Sequence, residues 1–113
     1  MPYFSIETNQ KVFDANWFAD IATEFISEQL DKPEKFIMIS LKIPQTMYFD
    51  RLKSPTAMVQ LKSIGLPENK DALIGAIFNF IEWELKIPKD RIYLELINLE
   101  RENFAWNGKN FKP

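Results

Sequence analysis

With 113 residues, 46% of them hydrophobic, and a net charge of −2, the chain has the apolar content for one compact domain spanning 1–113 and lacks the basic face that a nucleic-acid partner requires. It contains no cysteine and no histidine, which excludes disulfides, thiol redox chemistry and zinc–thiolate sites and leaves proton transfer to carboxylates, Lys, Tyr or the terminal amine. No apolar run approaches the ~20 residues of a membrane span, and no basic segment followed by an apolar stretch marks a secretory signal, so no membrane partner is expected and the cytoplasm is the default compartment.

The predicted elements follow in order. Residues 3–8 read as a short strand with Phe4 and Ile6 on one face. Asp14 is placed to cap a helix over 15–30, whose apolar stripe is Trp17, Phe18, Ile21, Phe25 and Ile26. Pro33 stops that helix. Residues 36–43 alternate, with Ile37, Ile39, Leu41 and Ile43 on one face of a second strand. A looser segment runs from Pro44 to Pro55. A third strand covers 57–63, and Gly65 and Pro67 turn the chain. Asn69 is placed to cap a second helix over 70–86, which Pro88 ends, and Arg91–Leu99 reads as the fourth strand. The tail carries Phe104, Trp106 and Phe111 without regular periodicity.

The chain also repeats itself. Shifted by 55 residues, Phe18, Ala22, Ile26 and Leu30 fall on Leu73, Ile77, Ile81 and Leu85. Pro33 falls on Pro88, and Ile37, Ile39 and Leu41 fall on Ile92, Leu94 and Leu96. The first set is spaced by four and the last by two, so a helical period gives way to a strand period at the same place in both halves. Two right-handed β-α-β units give an α/β (α+β) domain with a four-stranded sheet and both helices on one face. The other face carries Met38, Ser40, Lys42, Tyr93, Glu95 and Ile97. That mixture is too apolar to stand wholly in water, and it implies coverage by another subunit.

Pro2 follows the initiator Met1 directly and leads into the first strand. Removal of Met1 leaves a secondary amine pinned to a strand end. An α-amino group titrates near pH ~7.7–8.0, and burial or a nearby cation lowers that value. Such an amine can serve as a general base near neutrality. On the dipeptide alone the ordinary account, a proline merely tolerated in second position, is the favoured one.

Several stretches, in this order and spacing, make the chain similar end to end to the macrophage migration inhibitory factor family of the tautomerase superfamily. They are Pro2-x-Phe4, Thr8-Asn9, Lys32-Pro33, Ser63-Ile64-Gly65, Asp90-Arg91-Ile92-Tyr93 and Asn103-x-x-Trp106-Asn107. The resemblance implies a four-stranded mixed sheet, a homotrimer with its sheets wrapped into a barrel, and three sites at subunit interfaces. It implies an isomerase, a keto–enol tautomerase of the phenylpyruvate type, acting on small aromatic α-keto acids without metal or organic cofactor. Pro2 is then the catalytic base, and Lys32 holds the substrate carboxylate and depresses the proline pKa. Ile64 supplies a backbone amide and an apolar contact beside Ser63. Tyr93 comes from the neighbouring subunit, and Phe36, Phe104, Trp106 and Phe111 form an aromatic rim.

The chain departs from that family pattern in two places. Thr56 and Val59 stand where well-known members carry a Cys-x-x-Cys pair, and Glu95 replaces a pocket asparagine, which bears on hydroxyphenylpyruvate against phenylpyruvate. Each residue also has an ordinary account. Lys32 suits a helix C-terminus, Tyr93 and Ile64 suit a strand and a turn, and the tail aromatics suit an interface. Two other functions compete with the tautomerase. One is a cytokine-like interaction protein whose pocket is vestigial, exported without a signal peptide. The other is an RNA-binding ferredoxin-like domain, which the negative charge opposes.

Overall fold

A computed structural model describes residues 1–113. Its core is a four-stranded sheet of β1 (Tyr3–Thr8), β2 (Met38–Lys42), β3 (Ala57–Ser63) and β4 (Ile92–Asn98), in the order β2-β1-β3-β4. β1 runs parallel to β2 and antiparallel to β3, and β3 runs parallel to β4. The sheet is therefore mixed, with a parallel β-α-β pair in each half. Helices α1 (Ala15–Leu30) and α2 (Asp71–Leu85) provide the crossovers.

Periodicity places the core. Phe18, Ala22 and Ile26 of α1 are buried, as are Leu73, Ile77, Ile81 and Leu85 of α2, against Phe4, Ile6, Val59 and Leu61 of the sheet. The alternate strand residues (Met38, Ser40 and Lys42, with Tyr93, Glu95 and Ile97) stay wholly or partly exposed on the open face. Glu95 stands there midway along the edge strand β4, its Oε1 accepting from Gln60 Nε2 at 2.7 Å. The two departures from the cysteine pattern are structural. Val59 is in the core, and buried Thr56 donates to the Arg91 carbonyl at 2.6 Å.

The repeat extends to the helix ends. Asp31 and Lys86, 55 residues apart, both take left-handed conformations after their helices, with φ of 52° and 58°. Pro33 and Pro88 then each lead a one-turn 3₁₀ helix, Glu34–Phe36 and Lys89–Arg91. The predicted second strand is thus too long. Phe36 lies in the 3₁₀ turn, and the strand keeps only 38–42, because Phe36 N donates to the Pro33 carbonyl at 3.1 Å instead of to a strand. Strand four is likewise shortened to 92–98 and the second helix to 71–85.

Three smaller expectations are corrected. Trp17 is 54% exposed, because one residue before Phe18 in the first turn it points off the buried stripe. Asn69 accepts from Asp71 N at 3.0 Å but sits one residue ahead of the cap position held by Lys70. The tail is regular: β5 (Ala105–Trp106) and β6 (Lys109–Asn110) form a hairpin. Asn107 and Gly108 turn it at φ of 51° and 85°, the positive pair that a tight two-residue hairpin demands. Asp14 does cap α1, its carboxylate accepting from Trp17 N at 3.0 Å.

Candidate active site

Pro2 is fully buried at the head of β1, its carbonyl accepting from Met38 N at 3.0 Å. Beside it opens a cavity of about 780 Å³. Met1, Pro2, Tyr3, Phe36 and Met38 line one part, and Phe104, Trp106 and Phe111 line another. The tail is folded onto this cavity by its own bonds. Phe111 N donates to the carbonyls of Arg101 and Phe104, both at 3.1 Å, and the Phe104 and Phe111 rings stack with centroids 5.8 Å apart. The sequence-predicted base and all four rim aromatics thus come together around one apolar space.

Lys32 is set beside them by the end of α1. Its backbone N donates to the Ser27 carbonyl at 3.2 Å, and Ser27 Oγ donates to the Lys32 carbonyl at 2.6 Å. The ammonium then reaches the Ile64 carbonyl at 3.3 Å, which also accepts from Ser63 Oγ at 3.3 Å. Ser63 and Ile64 are buried. In the single chain these three residues lie outside the cavity lining. Ile64 faces Lys32 through its carbonyl, and Ser63 reinforces that acceptor. Asn98 Oδ1 fixes the same corner by accepting from Gly65 N and Leu66 N, both at 3.1 Å.

The electrostatics match the geometry. The terminal ammonium on Met1 is held below its ordinary pKa, first by burial, then by Lys32, then by Arg101. All three disfavour a charged amine at this spot. Sequence reasoning missed Arg101, and also Tyr3, Lys35, Ile37, Met38, Lys62 and Ala105 in the lining. Tyr3, Met38 and Lys62 form one row across three strands, with Tyr3 opposite both others. Strand alternation alone could have placed each on the open face. The row required the register.

Tyr93 lies elsewhere. It is 64% exposed, with its ring 4.8 Å from that of Phe49. The register aligns Tyr93 with Met58, and Met58 with Glu7, four residues along β1 from Tyr3. At usual strand rise and spacing, Tyr93 is roughly 16 Å from Tyr3 of the same chain. Glu95, bonded to Gln60, is outside the cavity too. No group of three or more acidic side chains is arranged to hold a metal ion. No helix is long and apolar enough to cross a membrane.

A family model described as "Macrophage migration inhibitory factor (MIF)" matches residues 1–112. A macrophage migration inhibitory factor homolog of Brugia malayi is 34% identical over 114 residues, covering 98% of this chain and 99% of the relative. A solved homologue from Prochlorococcus marinus superposes with a TM-score of 0.90 at 32% identity, covering 97% of this chain and 99% of that one. The structure from Trichinella spiralis gives the same TM-score at 26% identity, over 96% of this chain and 99% of the other. The chain belongs to the macrophage migration inhibitory factor family.

Proposed function

We propose that Met1 is removed and that the freed Pro2 amine is the base of a cofactor-free keto–enol tautomerase acting on aromatic α-keto acids of the phenylpyruvate type. The observation that carries this reading is the position of Pro2, buried at a strand head and opening on an aromatic-walled cavity. The lowered pKa of the present terminus supports it, because burial, Lys32 and Arg101 all favour a neutral amine there.

The chemistry moves one proton. The neutral Pro2 nitrogen takes a proton from the carbon next to the keto group, and electrons shift onto oxygen to form an enolate. The resulting ammonium returns the proton to that oxygen, giving the enol. Lys32, locked by Ser27 and Ile64, holds the substrate carboxylate with a charge-assisted bond. The aromatic lining keeps water from the amine and orients the ring. The working unit in this reading is a homotrimer in which a neighbour's Tyr93 closes each cavity. Its exposure and its distance from its own Pro2 favour that assignment.

The test is a phenylpyruvate enolisation assay on protein whose intact mass establishes a free Pro2. Pro2→Gly is expected to be slower by about 100-fold or more, the usual worth of a positioned base. A chain that keeps Met1 is expected to be inactive, because an amide nitrogen is not a base. Equal rates in all three forms would end the reading.

A second reading, an interaction protein with a vestigial pocket, draws on Phe13, fully exposed, and Trp83, 72% exposed, both outside the cavity lining. A stoichiometric partner recovered regardless of pocket ligands would favour it.

A further inference from the structure

Two lysines in the cavity wall have no part in the reaction described above. Lys35 and Lys62 are the only charged side chains in the lining, and no carboxylate lines it. They stand on opposite flanks of β1: Lys35 precedes β2, and Lys62 on β3 pairs with Tyr3. Neither has a carboxylate partner, since the one salt bridge in the molecule joins Lys89 to Glu82. The Lys35 ammonium lies 5.0 Å from the centroid of the Phe36 ring, which holds it at the aromatic wall. The acidic residues next to the cavity segments in sequence (Glu34, Glu100 and Glu102) are exposed and outside the lining.

One carboxylate needs one cation, and Lys32 supplies it. A chain of net charge −2 nevertheless places Lys35 and Lys62 in the cavity lining itself, with Arg101 close enough to act on the terminus. Unpaired cations around an aromatic-lined cavity favour an aromatic ligand with a second negative charge. From this arrangement we infer that the site selects aromatic 2-oxo acids carrying two anionic groups. The carboxylate of the keto acid goes to Lys32, and a second anionic substituent on the ring goes between Lys35 and Lys62. The inference rests on the proposed function for the location of the first carboxylate.

The experiment is calorimetric binding to the chain with free Pro2. The ligands are cinnamate and 4-carboxycinnamate, which do not react and differ by one para carboxylate. The dianion is expected to bind about tenfold more tightly, the scale of two partly solvated ion pairs. The preference should shrink as salt is raised. In the doubly substituted Lys35→Gln/Lys62→Gln chain the ratio of the two affinities should fall to about one. The ratio cancels any loss common to both ligands, including a partial loss of fold. Lys62→Glu provides an independent arm and should abolish the preference, because its carboxylate offsets the charge that Lys35 retains. Equal affinities in the parent, a preference that survives the double substitution, or no binding of either ligand would overturn the inference. A chain that keeps the binding ratio but fails to enolise any keto acid would lose the proposed reaction and keep this selectivity.

Discussion

At the scale of single residues, Lys32 carries the most testable chemistry. Its ammonium disfavours the protonated terminus, so it lowers the amine's pKa. In the proposed reaction the freed Pro2 amine, in the same surroundings, works only when neutral, at pH above its pKa. Replacing Lys32 by Gln removes the cation and raises the pKa, which moves the rising limb of the pH–rate profile to higher pH. It also removes the carboxylate's partner, so KM should rise roughly tenfold or more. Lys32→Arg keeps the charge and should keep the position of the profile. A pH series of initial rates on the three proteins checks both effects, and an unmoved limb in Lys32→Gln would remove Lys32 from the electrostatics of the site. Gly65, next to Ile64, answers a different question. Its φ is +77°, and an added Cβ would meet nothing nearer than the Lys32 ammonium at 4.0 Å. Gly65→Ala therefore costs backbone strain without a clash, about 1–2 kcal/mol of stability, readable by urea unfolding.

Among the elements, the segment between β2 and β3 depends on Arg91. That guanidinium donates to the carbonyls of Phe49 at 2.7 Å, Ser54 at 2.9 Å, and Leu52 and Pro55 at 3.2 Å. It also lies 5.3 Å from the centroid of the Phe49 ring. A planar fork can serve four carbonyls in this way, and an ammonium cannot. Arg91→Lys should cost about 2 kcal/mol in urea unfolding and speed proteolytic cleavage within 44–55. Arg91 was visible in the sequence only as part of a matching motif, because its partners lie some 40 positions away and have no side-chain signature. Elements with strong periodicity were legible: the 55-residue repeat located both helices and the second and fourth strands. Boundaries were less so, since the Pro33 turn converts Phe36 from a strand to a 3₁₀ residue. The Asn107-Gly108 pair was a readable hairpin signal that the irregular pattern of the tail aromatics hid. Within the candidate site, Pro2 and the four rim aromatics were legible as a group. The Lys32–Ile64 carbonyl contact and the row of Met38, Tyr3 and Lys62 depend on turn geometry and register, which no local pattern encodes.

On the scale of the whole molecule, one chain is an incomplete surface. β2 and β4 end the sheet on either side without partners, and unpaired strand edges invite pairing with another copy. Met38 and Tyr93 at those edges are each 64% exposed. A cyclic trimer would cover both edges at once, and a head-to-tail ring presents one protomer's β4 side to the next protomer's β2 side. Sedimentation equilibrium should accordingly give three times the chain mass of 13.3 kDa. The stronger test uses the separation of Pro2 and Tyr93 within one chain. Pro2→Gly replaces the proposed secondary-amine base by a mobile primary amine, and Tyr93→Ala lacks the residue proposed to close a neighbour's cavity. If each site takes Pro2 from one protomer and Tyr93 from the next, co-refolding the two variants in equal amounts restores some complete sites. Random assembly places an intact Pro2 against an intact Tyr93 in about a quarter of the sites. The refolded mixture should then enolise phenylpyruvate faster than the summed rates of the separately refolded variants. A rate equal to that sum would place Tyr93 outside the reaction or confine each site to a single chain.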